Sequence, residues 1–197
     1  IDFTKNRIST FFDGDEGVNH VDMTNPYNQE LRNVLIKSCK NLNISVSSGG
    51  IYGGFEGPRF ETKAEIQMAK QMGVTMVGMT GVPEVVLAVE KGLRYAAICI
   101  VANPAAGLSS EEITMEDVQK VVENSAAQVV QVLDEATKYW MTAAGMPSPY
   151  DLDCTSLSNV QFLNYFRRCE VMIIFIIIIV SSCCQKVARK KKKKRIS

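Results

Sequence analysis

The sequence predicts an α/β fold built on a mixed, largely parallel sheet flanked by helices. Three observations carry that prediction. Apolar runs around Ile51–Phe55, Thr75–Gly78 and Tyr95–Ala102 alternate with stretches of helical periodicity, the pattern of βαβ units. Polar caps stand at two helix starts, Thr62-Lys-Ala-Glu65 and Thr114-Met-Glu-Asp117. Glycines follow two helix ends, at Gly73 and Gly92.

Taken in order, residues 1–22 carry Phe3, Ile8, Phe11 and Phe12 ahead of an acidic turn at Asp13–Gly17, and strands around a loop are expected. Asn25-Pro26 predicts a helix start, with Leu31, Val34, Leu35 and Cys39 as its buried stripe. A short strand is expected at Ile44–Ser47. The stretch Gly49–Thr62 then reads as a strand whose glycines mark close backbone approach, a stop at Gly57-Pro58, and a turn carrying Arg59, Phe60 and Glu61. The helix opened by Thr62 turns Ile66, Ala69 and Met72 inward and ends at Gly73. Thr75–Gly78 is a second strand, and Pro83 begins a helix that Gly92 closes. Tyr95–Ala102 is the longest apolar run of the body and reads as a strand buried on both faces. After a loop, Val118, Val121, Val122, Val129, Val132, Leu133 and Ala136 recur at helical spacing.

In a parallel sheet, three such strands end on one edge, where open α/β sheets bind ligands. The residues delivered there are Phe60 and Glu61, Met79 and Thr80, and Asn103. An aromatic face, a carboxylate, a thioether, a hydroxyl and an amide suit a flat heterocycle attached to a sugar. Each residue alone has a plainer explanation. Methionines fill cores, a Glu near a helix start favours the helix dipole, and Asn before Pro makes turns. Their common edge favours the functional reading.

Composition narrows the partners. Eight of the 22 Lys and Arg lie in Lys186–Arg195, which holds none of the 21 acids, so residues 1–185 carry an excess of about seven negative charges. An acidic body carries no nucleic-acid footprint. The six cysteines lack metal-site spacing, and reduced cytosolic thiols are expected. The chain divides into a body over 1–140, a Pro-, Ser- and Asp-rich linker over 141–169, and a tail over 170–197. In the tail, the apolar run Val171–Val180 precedes the basic cluster. That tail has three readings: a short membrane anchor with a basic flank across 171–195, an aggregation-prone strand, or translated non-coding message.

At these residues the sequence resembles the trimeric purine nucleoside phosphorylase and methylthioadenosine phosphorylase family. Gly50-x-Tyr52, Glu56-Gly-Pro-Arg-Phe-Glu-Thr62, Val77-Gly-Met-Thr80, Pro83-Glu84, Ala88-x-Glu90 and Asn103-x-Ala-Ala-Gly107 match in order and spacing. The resemblance implies a three-layer α/β fold, a homotrimer in the cytoplasm, and attack of inorganic phosphate on a purine nucleoside. It implies no metal or organic cofactor, phosphate being a co-substrate. Phe60 resembles the aromatic that packs on the base, and Glu61 the carboxylate that accepts N1–H of a 6-oxopurine. Asn103 is similar to the amide that bonds N7 and O6. Met79 resembles the residue under the sugar, Tyr52 a sugar neighbour, and Thr80 a phosphate-binding hydroxyl. His20 falls where an adjacent subunit covers the 5′ end. Met115 stands where inosine enzymes place a histidine, and a thioether packs well against a methylthio group. Glu61, Asn103 and Met115 together are similar to the methylthioinosine phosphorylase branch.

The chemistry fits these residue types. Donors aimed at N7 and O6 stabilise the departing purine anion. Glu61 accepts a proton that a 6-aminopurine does not carry. The expected function is therefore phosphorolysis of a 6-oxopurine nucleoside, methylthioinosine or inosine. A methylthioadenosine phosphorylase is one alternative. The other is a catalytically dead chain with a membrane-associated tail. The family's glycine-rich phosphate loop and its Arg-His pair have no counterpart here, and the chain begins at Ile1. An N-terminally truncated fragment that binds phosphate poorly is expected.

Overall fold

A computed structural model describes residues 1–15, 17–110, 114–143, 173–179 and 181–182. In order they form α1 (Gln29–Asn41), β1 (Tyr52–Gly54), α2 (Lys63–Gln71), β2 (Met76–Gly78), α3 (Gly81–Glu90), β3 (Tyr95–Val101), α4 (Met115–Ala143), β4 (Ile173–Ile179) and β5 (Ser181–Ser182). The fold is α/β. β1 pairs with β2 in parallel and β5 adds antiparallel to β2, while β3 pairs in parallel with β4.

That pairing corrects one expectation. β3 does not share a ladder with β1 and β2. It is joined to them by packing, Ala97 and Cys99 lying against Tyr52 and Val82. β3 is covered on both faces, Ala96 and Ile98 packing with α1 and α4 and Tyr95, Ala97 and Cys99 on the opposite side, although Ala97, Ile98 and Cys99 stay half-buried.

Capping chemistry sets the helix limits. α1 begins at Gln29 rather than at Pro26, because the Asn28 side chain accepts the Leu31 N–H at 3.0 Å and its own N–H donates to Tyr95 O at 2.7 Å. The predicted strand at Ile44–Ser47 is absent. Asn43 turns with φ 55°, and the Ile44 N–H closes the helix end on Cys39 O at 2.8 Å, so Ile44 serves as a helix stop. The described residues of 1–22 form no strand beyond one parallel bridge of Asp2 to Gly54.

α2 opens on a complete capping box. The Thr62 hydroxyl accepts the Glu65 N–H, and the Glu65 carboxylate accepts the Thr62 N–H at 2.7 Å. The helix stops before Gly73, whose φ of 84° suits glycine. Ile66 and Ala69 are buried, but Met72 lies past the last turn and is exposed. In α3 regular helix begins at Pro83, since Val82 is extended, and Gly92 follows its end with φ 67°. α4 continues to Ala143, three residues past the expected boundary at Trp140.

Apolar cores form on either side, two of them the largest. Leu31, Val34 and Leu35 of α1 pack with Val132 and Ala136 of α4 over Ala96. Phe55, Ile66, Val74 and Val77 pack with Ala105 on the other side. The second core places the loop after β3 against α2.

The run Ile173–Ile179 is β-strand, paired with β3 from Tyr95↔Ile173 to Val101↔Ile179. Among the described residues no helix is long and apolar enough to cross a membrane. Residues 144–169 of the expected linker and the basic run from Lys186 lie outside the described residues. Of the six cysteines, Cys39 and Cys99 are described, and both are free thiols.

Deleting residues 170–197 will uncover the β3 edge that β4 covers. Hydrogen exchange across Tyr95–Val101 is expected to accelerate, while exchange in α2 stays unchanged.

Candidate active site

β1 and β2 run parallel, so Phe55–Glu61 and Met79–Gly81 leave the same sheet edge. The last rung between them is Phe55 N–H to Gly78 O at 2.8 Å. Beyond it the two chains stay close through glycine. A Cβ on Gly57, which has φ 69°, would collide with the Met79 sulfur, so that thioether lies on the turn leading to Phe60 and Glu61.

Tyr52 fixes the β2 exit from beneath. Its hydroxyl accepts the Gly81 N–H at 3.2 Å and the Thr80 N–H at 3.4 Å, and burial raises its pKa. A Cβ on Gly78 would sit 2.7 Å from that hydroxyl, so Gly78 is what lets the ring reach it. Tyr52 therefore braces backbone in this structure. The Thr80 side chain is exposed and makes no capping bond at the start of α3, and its hydroxyl bonds the Tyr52 hydroxyl.

Glu61 is 6% exposed although charged by type. Desolvation raises its pKa above the ordinary carboxylate range, against the pull of its own backbone N–H. The nearby cation is committed elsewhere. Arg59 grips Glu65 in a bidentate pair at 2.8 and 2.9 Å, and this bond, with the Thr62 N–H, holds the Glu65 pKa at about 2. Glu61 lines a cavity of about 390 Å³ with Phe3, Lys5, Phe55, Arg59 and Met68 among its neighbours. The rings of Phe3 and Phe55 stack there, 4.7 Å apart. A cavity of this size suits a small organic ligand.

Asn103 follows the end of β3. Its amide N–H donates to Pro104 O at 2.8 Å, and its Oδ1 is buried without a partner among the described residues. The next residues dock on α2: Ala105 is 1% exposed, and a Cβ on Gly107 would meet the Lys63 side chain at 2.5 Å. The Asn103 loop and the Glu61 turn thus converge on the first turn of α2. Neither Asn103, Phe60, Met79 nor Thr80 lines the cavity beside Glu61. Phe60 and Met79 are half-buried, Met115 at the start of α4 is 61% exposed, and His20 is exposed. Among the described residues no cluster of His, Cys, Asp or Glu is arranged to hold a metal ion.

Sequence reasoning missed Phe3 and Lys5 as cavity walls. Only the long-range pairing of residues 1–3 with β1, through Phe3 N–H to Gly54 O at 2.8 Å, brings them there. No local sequence signal announces that pairing.

Comparison with known proteins is consistent with this geometry. The sequence profile of the Phosphorylase superfamily matches residues 1–138, and the chain belongs to that family. It is 47% identical over 137 residues to a probable 6-oxopurine nucleoside phosphorylase of Moorella thermoacetica, covering 69% of this chain and 53% of that one. It is 44% identical over 139 residues to a probable S-methyl-5′-thioinosine phosphorylase of Methanopyrus kandleri, covering 71% and 54%. Among solved structures it resembles an adenosine/methylthioadenosine phosphorylase mutant of Schistosoma mansoni in complex with adenine. That match has a TM-score of 0.63 and 32% identity, over 69% of this chain and 56% of that one. The chain spans about half the length of the curated relatives it matches.

Two outcomes test the braces. Tyr52→Phe leaves the Thr80 and Gly81 N–H groups without their acceptor and is expected to cost about 1–3 kcal/mol in denaturant unfolding. Glu65→Gln removes a carboxylate whose folded pKa of about 2 lies below its ordinary 4.5. The stability it contributes is fully present above pH 4.5 and fades as pH falls through 2. Melts of the wild type and Glu65→Gln are therefore expected to differ at neutral pH and to converge in strong acid.

Proposed function

We propose that the protein to which this chain belongs is a purine nucleoside phosphorylase, a pentosyltransferase acting on 6-oxopurine nucleosides such as methylthioinosine or inosine. Phosphate attacks the anomeric carbon of the sugar, the glycosidic bond breaks, and its electron pair leaves with the purine. The products are the free base and the sugar 1-phosphate. The reading needs no metal or organic cofactor. A cytoplasmic homotrimer is part of the same proposal.

The observation that carries it is the buried carboxylate of Glu61 beside an aromatic-walled cavity. A desolvated carboxylate held away from the one arginine nearby calls for a ligand donor. N1–H of a 6-oxopurine is such a donor, and a 6-aminopurine has none at that atom. Asn103 then donates to N7 or O6 as the purine takes up negative charge. Its amide is now turned to Pro104 O and must swing to do so. Met79 supports the sugar, with Phe60 on the base and Tyr52 beneath the strand exit. Thr80 offers an exposed hydroxyl to phosphate at the start of α3, where the helix dipole favours an anion. Met115 and His20 belong to the 5′ side, His20 from an adjacent subunit. The names of the relatives, 6-oxopurine nucleoside and S-methyl-5′-thioinosine phosphorylases, support the same substrate class.

The test is calorimetric titration of the 197-residue chain with hypoxanthine and with adenine. Hypoxanthine is expected to bind at least about tenfold tighter, the worth of one hydrogen bond to a charged group. Adenine binding as tightly or tighter would favour the methylthioadenosine reading. Glu61→Gln is expected to erase the preference. Because the Glu61 pKa is raised and the ionised form is the acceptor, hypoxanthine affinity should climb with pH through that raised value. In Glu61→Gln the same profile should be flat.

A further inference from the structure

We propose that Arg7 is a positioning residue of this site, a side-chain rung that locks the Glu61 turn to the Met79–Thr80 turn. The main-chain ladder between β1 and β2 ends at Phe55 N–H to Gly78 O. Just past that rung, the carbonyls of Phe55, Glu56, Met79 and Val82 are all met by one guanidinium.

Arg7 Nη1 donates to Met79 O at 2.6 Å and to Val82 O at 2.8 Å. Nη2 donates to Glu56 O at 2.8 Å and to Phe55 O at 3.4 Å. Nε donates to the Glu56 carboxylate at 3.3 Å. A guanidinium has five N–H donors in a rigid fork, and each finds an acceptor here. The side chain is only 22% exposed, so this is a partly desolvated clamp rather than a loose surface pair.

The geometry has a direct consequence. Nη1 fixes the β2 exit and Nη2 fixes the β1 exit, so one planar group sets the separation of the two turns. The Glu61 turn and Met79 both lie within a few residues of its contacts. Arg7 acts on the two turns through their main-chain carbonyls and the Glu56 carboxylate, not through Glu61 or Thr80. Lysine cannot substitute, since one ammonium cannot span both turns at once.

The functional part of this assignment rests on the nucleoside reading, so the experiment has two readouts. In the full chain, hypoxanthine affinity is measured by calorimetry for wild type, Arg7→Lys and Arg7→Ala, the last with and without non-denaturing guanidinium chloride. Alongside, the [13C]methyl resonance of Met79 is followed without any ligand. The expected result is a loss of about tenfold or more for Arg7→Ala, by displacement of the binding groups. Arg7→Lys should recover little of it, and free guanidinium should restore most of it in Arg7→Ala alone. The Met79 resonance should shift in Arg7→Ala and return with guanidinium. Unchanged affinity in Arg7→Ala overturns the proposal, as does a loss that guanidinium does not mend while Met79 stays in place. If the wild type does not bind hypoxanthine, the nucleoside reading falls. The Met79 resonance then decides the clamp: shift and recovery uphold it, and no shift sinks it.

Discussion

Tyr52 lies across Gly78 so closely that any side chain there would meet its hydroxyl. The site rests on that approach. With the ring in place, its hydroxyl satisfies two main-chain N–H groups at the start of α3, and Met79 and Thr80 are delivered in a fixed orientation. Gly54 makes a matching concession, since a Cβ on it would press on Val82 at 2.9 Å. The β1–β2 unit is only three residues wide on each strand, and glycine at its critical positions lets side chains from other elements seal it. Such a unit gains little from its own side chains and depends on what is laid across it.

Charge is distributed with the same economy. The turn between β1 and α2, with the first turn of α2, carries one arginine and three acids, Glu56, Glu61 and Glu65, and an indiscriminate arrangement would pair Arg59 with Glu61. Instead the capping box orients Glu65 toward Arg59, and the bidentate geometry holds it there. Glu56 is taken by Arg7. Glu61 is left buried, its ionisation resisted by desolvation and by Glu65 and helped by its own N–H and, least, by Arg59. A helix cap therefore does more than start α2, because it occupies the cation that would otherwise neutralise the candidate base-binding carboxylate.

Local signals were legible where the chemistry is local. The Thr62–Glu65 box, the glycines after α2 and α3, and the apolar stripe of α1 all read directly from sequence, because each involves residues within a turn or two of one another. The start of α1 was misread for a related reason: Pro26 and Asn28 both favour helix starts, and Asn28 prevailed because its N–H is pinned to Tyr95 O across the fold. Ile44 looked like a strand residue and became a helix stop through Asn43. Long-range pairings were not legible. Nothing near Phe3 or Arg7 marks them as neighbours of a turn some fifty residues away. The convergence of Glu61 and Asn103 was inferred from a shared sheet edge, whereas the structure brings the two loops together on α2 by packing.

That difference bears on how firmly Asn103 is held. Residues on β1 and β2 are related by a ladder, but β3 reaches them only through side chains and the Ala105–Gly107 loop. Its hydrogen-bonded partner is β4, in which Phe175, set opposite Ala97, is the one residue that is not isoleucine. A near-uniform run specifies register weakly, because a shift by two residues sets isoleucine at most positions again and keeps each face unchanged. The β3 exit is thus the least constrained of the three strand ends. On the proposed reading the Asn103 amide exchanges its bond to Pro104 O for one to a purine, and such a rearrangement is easiest at that end of the fold.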